Sequence, residues 1–140
     1  MMDISRMVEI IRIETQGQGL YEFTDRLKQQ LNSSGVQEGL CTLLIQHTSA
    51  SLTIQENADP SAQQDLENWL NRLVPEGDPL YTHLFEGRDD MPAHIKAALT
   101  ATTLSIPVSE GRLLLGTWQG VYCWEHRHGR QIRSVAVHIG

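Results

Sequence analysis

Alternation of apolar and polar positions predicts a chain built mostly from strands. The segment 39–48 is the clearest buried strand, because its odd positions from Cys41 to His47 share one face. On this pattern alone, His47 is a core-edge histidine whose ring bonds to a backbone carbonyl. The same reasoning predicts further strands at 7–15, 51–56, 104–108, 112–115, 121–127 and 132–139.

Apolar residues at helical spacing predict three helices. Thr24 is a candidate cap for the first helix, which Gly35 would end in a left-handed conformation. Asp59 and Pro60 predict the cap and first position of the second helix. Its apolar stripe comprises Ala62, Leu66, Trp69, Leu70 and Leu73.

The third helix is predicted from Pro92 to about Thr100, with Asp90 as its cap. Its apolar residues Ile95 and Leu99 lie four positions apart. Because these helices interrupt strands that mostly neighbour one another, the pattern predicts an α+β fold. Its sheets are expected to be mixed or antiparallel and to form a β-sandwich, with about three helices attached.

Composition narrows the class of protein. The 140 residues predict one domain spanning positions 1–140, and the formal charge of −6 argues against a nucleic-acid partner. We also expect no membrane partner, because no apolar run approaches the roughly 18 residues of a membrane span. Without a signal-peptide core, a cytoplasmic location is expected. Cys41 and Cys123 lie in apolar runs and are expected to be buried free thiols.

Residues 81–96 concentrate groups that titrate and bind ligands. They include two histidines, three carboxylates, an arginine and a lysine, and Gly87 and Pro92 interrupt regular structure. Such an ordered loop between well-patterned segments is a candidate for chemistry, although a solvated polar connection is the alternative. The segment 116–120, with glycines at both ends, predicts a bulge or a close backbone approach.

Local motifs leave the chemistry open. The six histidines form no HExxH pair and no zinc-finger spacing, but three imidazoles from distant segments could still hold zinc and a water molecule. Asp65 lies beside the apolar stripe of the second helix and is expected to be partly buried. The chain lacks GxSxG, Walker and GxGxxG motifs, which removes several reaction classes.

Several longer stretches resemble the YjbQ family, also called secondary thiamine-phosphate synthase. They are residues 47–54 (HTSASLTI), 56–60 (ENADP), 86–96 (EGRDDMPAHIK) and 111–112 with 116–120 (GR and GTWQG). The resemblance runs through essentially the whole chain. It implies an α+β sandwich that forms a homotrimer with sites near subunit interfaces. It also implies a secondary activity that joins hydroxymethylpyrimidine pyrophosphate to a thiazole phosphate and releases pyrophosphate.

The resemblance also implies roles for individual residues and for a cofactor. Zinc is the expected metal, and magnesium is an alternative for a pyrophosphate substrate, with His47, His83 and His94 as ligands. The implied partner is a phosphorylated small molecule. The implied catalytic residues are His47, His83, His94, Asp65, Asp90 and Glu125, and the implied substrate-binding residues are Lys96, Arg112, Thr117 and Gln119.

Two other functions remain open at this point. A metal-dependent hydrolase of another small substrate would use the same residues. A non-catalytic trimeric binding protein would instead use its histidines in structural hydrogen bonds. The enzyme hypotheses rank first, because the polar loops at 82–92 and 116–120 exceed what a scaffold needs.

Overall fold

The computed structural model describes residues 8–140, so the predicted start of the first strand at Met7 lies outside the described residues. Eight strands and three helices follow one another in the order β1, β2, α1, β3, β4, α2, α3 and β5 to β8. The helices are α1 (Thr24–Ser34), α2 (Pro60–Leu73) and α3 (Asp90–Leu99). The strands are β1 (Val8–Gln16), β2 (Gly19–Glu22), β3 (Gly39–Ile45), β4 (Ala50–Glu56), β5 (Thr103–Ser109), β6 (Arg112–Leu113), β7 (Gln119–Glu125) and β8 (Arg130–Ile139).

The strands form two antiparallel sheets. The larger sheet has the order β1-β8-β3-β5-β6, and the smaller sheet has the order β2-β7-β4. The α+β fold with antiparallel sheets and three helices is therefore confirmed. None of the helices within residues 8–140 is both long enough and apolar enough to cross a membrane.

The main core lies between the two sheets. Ile11 and Ile13 of β1, Leu43 of β3 and Val121 of β7 are buried in it, and α1 adds Leu27. Each fully buried aliphatic side chain of this kind contributes roughly 1.5–3 kcal/mol to folding. Cys41 and Cys123 are buried free thiols in the same core, as predicted, and burial raises the pKa of Cys41 to about 11.

Helices α2 and α3 cover the outer face of the smaller sheet. Leu70 and Val74 pack with Trp124 of β7, and Ile95 of α3 joins them. Strand β7 is consequently buried along almost its whole length. Its inward residues meet the main core, and its outward residues lie under the helices.

Helix boundaries match the sequence prediction best where capping is strong. Asp59 accepts a hydrogen bond from the Ser61 N–H at 2.9 Å and caps α2, as predicted. The predicted Thr24 cap is wrong: Phe23 occupies that position, because the Thr24 hydroxyl accepts the Val121 N–H at 2.9 Å and donates to Glu22.

Other predicted details also need correction. Helix α3 begins at Asp90 rather than Pro92, and Asp90 does not cap it, because its carboxylate contacts side chains instead. Strand β2 is absent from the sequence prediction. Trp69 and Leu73 of the predicted apolar stripe are 53% and 52% exposed.

Candidate metal centre

Three side chains converge at the start of α3. Oδ2 of Asp90 lies 2.7 Å from Nε2 of His83 and 3.0 Å from Nε2 of His94. Asp90 and His94 stand one helical turn apart on α3, so both project from the same face. His83 reaches them from the loop that precedes the helix. These three donor atoms all lie within 4.8 Å of one another and form the metal centre candidate.

Exposure decreases from one side of this cluster to the other. The side chain of His83 is 46% exposed, that of His94 is 31% exposed, and that of Asp90 is only 6% exposed. The cluster therefore opens to solvent on the His83 side. The two rings approach each other edge to face, with centroids 5.4 Å apart.

The backbone fixes the tautomer of His94. Its Nδ1 lies 2.9 Å from the carbonyl oxygen of Thr48, and a carbonyl can only accept, so Nδ1 carries the proton. A neutral ring would then point the lone pair of Nε2 at Oδ2 of the Asp90 carboxylate. Two lone pairs 3.0 Å apart repel unless a proton or a cation lies between them. The arrangement suits a bound cation.

The donor set also suits a divalent metal chemically. Two imidazole nitrogens and one carboxylate oxygen are ligands that zinc accepts, and three protein ligands leave a position for water or substrate. Histidines that bind metals usually use their other ring nitrogen in a hydrogen bond that fixes the ring orientation and the tautomer. The carbonyl of Thr48 accepts such a bond from His94. His83, Asp90 and His94 are therefore the residues that would hold such an ion.

Arg127 holds the acidic side of the cluster in place. Its Nη1 donates to Oδ1 of Asp90 at 2.8 Å, and its Nε donates to Oδ2 of Asp89 at 2.9 Å. Its Nη2 also donates to the carbonyl oxygen of Glu86 at 2.9 Å. Burial acts to raise the pKa of Asp89, but hydrogen bonds from Arg127 and the His128 N–H outweigh it and lower the pKa. Arg127 thus fixes the carboxylate of Asp90 and the loop that contains Glu86 and Asp89.

His47 lies beyond the end of β3 and makes a different contact. Its Nε2 accepts the backbone N–H of Ser134 at 2.8 Å, so its neutral ring carries the proton on Nδ1. Burial, followed by the nearby charge of Arg133, lowers the pKa of His47 and favours that neutral form. Across residues 8–140, the cluster of ligating atoms comprises His83, Asp90 and His94, and His47 does not belong to it; a role for His47 as a metal ligand stays a prediction.

Glu125 serves the scaffold in this structure. The residue is fully buried, and its carboxylate accepts from Thr15 Oγ1 at 2.6 Å and from Arg133 Nε at 2.7 Å. It also accepts the backbone N–H groups of His126 and Arg127 at 3.1 Å each. Burial acts to raise the pKa of Glu125, but the hydrogen bonds from Arg133 and Thr15 lower it. Glu125 is therefore held ionised, away from the cluster.

Comparison with known proteins decides the family. The family model described as UPF0047 protein YjbQ-like matches residues 9–140. The chain belongs to the YjbQ family. A UPF0047 protein of Synechocystis sp. is 53% identical over 131 residues, which cover 94% of this chain and 89% of that protein. The YjbQ protein of Escherichia coli O157:H7 is 44% identical over 129 residues, covering 91% and 93% of the two chains.

Solved structures of YjbQ proteins share the fold. A crystal structure of a YjbQ/UPF0047 family protein from Clostridium acetobutylicum is 36% identical and has a TM-score of 0.86, covering 94% of this chain and 99% of that one. A YbjQ-like protein of unknown function from Sulfolobus solfataricus is 23% identical with a TM-score of 0.83, covering 94% and 96%. The family resemblance of the sequence motifs is thus confirmed.

The predicted substrate-binding residues of this YjbQ chain are dispersed. Lys96 lies on α3 but is only 1% exposed, and its Nζ donates to Oδ1 of Asn71. Burial lowers the pKa of Lys96, and the charges of Glu67, Glu76 and Asp89 oppose that shift. Direct contact between Lys96 and a substrate stays a prediction.

The remaining predicted site residues are all on the surface. Asp65 is exposed on α2, although the sequence predicted partial burial. In the segment 116–120, the Gln119 side chain accepts the Gly116 N–H at 2.7 Å and closes a turn before β7. Arg112 and Thr117 are exposed as well. None of these four belongs to the cluster formed within residues 8–140.

Sequence reasoning missed two groups that organise the centre. Thr48 acts through its backbone carbonyl, which every residue possesses, so its side chain gives no signal. Arg127 follows a strand 37 positions beyond Asp90, and its role depends on how β7 meets the loop. The acidic pair at Asp89 and Asp90 was the available hint, because neighbouring carboxylates in a partly buried site need a cation.

Proposed function

We propose that this YjbQ chain is a small-molecule enzyme with a divalent cation at His83, Asp90 and His94. The observation that carries the proposal is the position of His94, whose Nε2 lies 3.0 Å from Oδ2 of Asp90 while its Nδ1 contacts the Thr48 carbonyl oxygen. When bound, the ion would supply Lewis-acid chemistry to a phosphate or carbonyl oxygen. Arg127 keeps Asp90 oriented, and His83 lies at the open side.

The reaction we propose is thiamine-phosphate synthesis as a secondary activity. A nitrogen of the thiazole phosphate forms a bond to the methylene carbon of hydroxymethylpyrimidine pyrophosphate, and the carbon–oxygen bond to pyrophosphate breaks. The leaving group carries away the electron pair, so its developing charge needs a nearby cation. The family resemblance and the cation-binding geometry of His83, Asp90 and His94 together support this reaction.

A hydrolase is the second candidate. Within residues 8–140, three protein donors converge in the cluster, and His83 is 46% exposed, which supports access of water to a fourth position. Zinc would suit this chemistry, whereas magnesium would suit a pyrophosphate substrate better. Assays with the two thiamine precursors and with small esters, run on the same preparation, would separate the candidates. Turnover of neither, with tight binding of one ligand, would favour a non-catalytic binding protein.

Elemental analysis of the purified protein tests the metal centre. We expect about one divalent ion per chain in the native protein and its loss in three variants, His83→Ala, His94→Ala and Asp90→Asn. Asp25→Asn is the matched control, because Asp25 lies in the first turn of α1 and is exposed. Circular dichroism would establish that each variant is folded.

Two results would overturn the metal proposal. One is native protein that stays free of metal after incubation with zinc and with magnesium. The other is a full complement of metal in all three variants. In either case the cluster would instead act through a shared proton between Asp90 and the two histidines.

We further propose that the chain assembles as a homotrimer. The loop that carries His83 also exposes Leu80, Leu84 and Phe85, which are 85%, 65% and 101% exposed. Large apolar side chains clustered in this way are typical of association surfaces. Light scattering should give three times the chain mass for the native protein and a smaller mass for Phe85→Ser. A native monomer would contradict the proposal of a homotrimer. Separately, the cytoplasmic location of the protein stays a prediction.

A further inference from the structure

A small pocket opens beside the metal centre, on the side where His83 is exposed. It encloses about 170 Å³ and is formed by the loop between α2 and α3, including Gly77, Tyr81, His83 and Arg88. At ~30 Å³ per water molecule, it holds the equivalent of about six waters. That volume suits a phosphate group with part of a small ring.

Arg88 gives this pocket an available positive charge. The side chain is exposed and lines the pocket, and it forms no hydrogen bond or ion pair with any residue from 8 to 140 in this structure. Arg127 differs, since its guanidinium is already shared between Asp89 and Asp90. An arginine fork without a partner can bind a phosphate through two parallel hydrogen bonds.

Three of the acidic groups near Arg88 already have charged or histidine partners. Asp89 and Asp90 pair with Arg127, and Glu76 lies 2.7 Å from His128 Nε2. Asp78 lines the pocket and accepts the Leu80 N–H at 2.9 Å. Asp78 has no cationic partner among residues 8–140 and would repel an anion on its side of the pocket, so the anionic end of a ligand is expected at Arg88.

Gly77 makes room for the guanidinium. Its φ is +71°, and a Cβ at this position would collide with Nη2 of Arg88. The Arg88 head group therefore lies directly against backbone that forms the pocket wall. The Tyr81 hydroxyl donates to the Pro75 carbonyl oxygen at 2.8 Å, which fixes the tyrosine as a rigid part of the lining.

We propose that this pocket binds the phosphate monoester end of the substrate, with Arg88 as its anchor. The proposal rests on the proposed function, because it places this end of the substrate beside His83 and the candidate metal. Arg88 is then a substrate-binding residue that selects singly phosphorylated small molecules. The uncharged end of the ligand would lie toward Tyr81.

The test is binding of phenyl phosphate to the full chain, measured by calorimetry with and without added zinc. We expect Arg88→Gln to weaken binding about tenfold or more in both conditions, and Arg88→Lys to weaken it less. The matched control is Arg12→Gln, which removes the same charge from the exposed face of β1 and should change the affinity less than twofold. Phenol, which lacks the phosphate, should bind far more weakly to the native protein.

The outcomes separate this proposal from the metal proposal. Binding that depends on Arg88 in metal-free protein supports the pocket even if no metal is ever found. Binding that requires zinc and is unchanged in Arg88→Gln overturns the pocket assignment while leaving the metal centre in place. An equal loss of phenyl phosphate affinity in Arg88→Gln and Arg12→Gln also overturns the pocket assignment, because the effect would then reflect the overall charge of the protein.

Discussion

His126 shows how strongly burial can act on one residue. The ring is 1% exposed under the helices, and its Nε2 lies 2.9 Å from the Ser51 hydroxyl oxygen. Its Nδ1 has no hydrogen-bond partner within the described part of the chain. Burial, followed by the charges of Lys96 and Arg133, lowers the pKa of His126 to about 3. The folded protein therefore keeps this ring neutral.

This shift predicts acid destabilisation. The unfolded chain gains a proton on His126 below its usual pKa of 6.5, while the folded chain gains it only near 3. Neutral His126 therefore makes its full contribution to the free energy of unfolding above pH 6.5. That contribution falls as the pH drops from 6.5 to about 3, by up to ~1.4 kcal/mol per pH unit. His126→Gln should flatten the dependence of the unfolding free energy on pH in that window. Urea unfolding at several pH values would measure it, and an unchanged slope would refute the assignment.

For individual residues, the sequence placed chemistry in the segment 81–96, and the family resemblance implied roles for His83, Asp90 and His94 within it. His83, Asp90 and His94 stand within one short segment, and an i, i+4 pair on a helix must share a face. His47 was grouped with them by resemblance, whereas its ring bonds to the backbone of β8. That contact depends on how β3 ends beside β8, which periodicity does not determine.

Helix α3 joins the candidate metal centre to the polar layer beneath it. One side carries Asp90 and His94, and another carries Lys96, which is buried against Asn71 of α2. Asn71 in turn donates to Gln18 at 3.3 Å, and Glu67 of α2 accepts from Trp124 Nε1 at 2.7 Å. A polar layer therefore connects both helices to the smaller sheet.

Loss of the buried ammonium should loosen this contact. Lys96→Ala leaves Oδ1 of Asn71 without its donor, which costs about 1–3 kcal/mol in unfolding free energy. Lys28→Ala, on the exposed side of α1, is the control and should change stability by less than about 0.5 kcal/mol. Thermal unfolding of both variants measures the difference, and equal stabilities would show that Lys96 makes no net contribution.

Elements with strong local signals were predicted well, and those without were missed. The cap and proline at Asp59 and Pro60 located the start of α2 correctly. Strand β2 has four residues, begins with a glycine and is only partly buried, so its pairing with β7 leaves little periodic signal. The capping propensity of Thr24 also gave a wrong prediction, because its hydroxyl accepts the backbone N–H of Val121 in the distant strand β7.

Across the whole molecule, a buried ion pair ties the two sheets together. Glu125 of β7, in the smaller sheet, accepts from Arg133 of β8 and Thr15 of β1, in the larger sheet. Nη2 of Arg133 also donates to Ser49, between β3 and β4, at 3.0 Å. All four residues are buried, so the pair has little access to water.

Removing one partner should be costly. Arg133→Met leaves a buried carboxylate without its counterion and should reduce the free energy of unfolding by about 3–5 kcal/mol. Because Glu125→Gln combined with Arg133→Met removes both charges, the double variant should be more stable than the sum of the single effects implies. Urea unfolding of the two single variants and the double variant completes the cycle, and strict additivity would contradict direct pairing.

The three proposed metal donors all come from one stretch of twelve residues, His83 to His94. Their orientation, in contrast, depends on Thr48, between β3 and β4, and on Arg127, between β7 and β8. Changes confined to one short stretch could therefore add or delete the proposed metal site during evolution while both sheets persisted. A relative with altered donors but the same two anchors should lack the proposed metal site, and restoring its donors should be enough to restore metal binding.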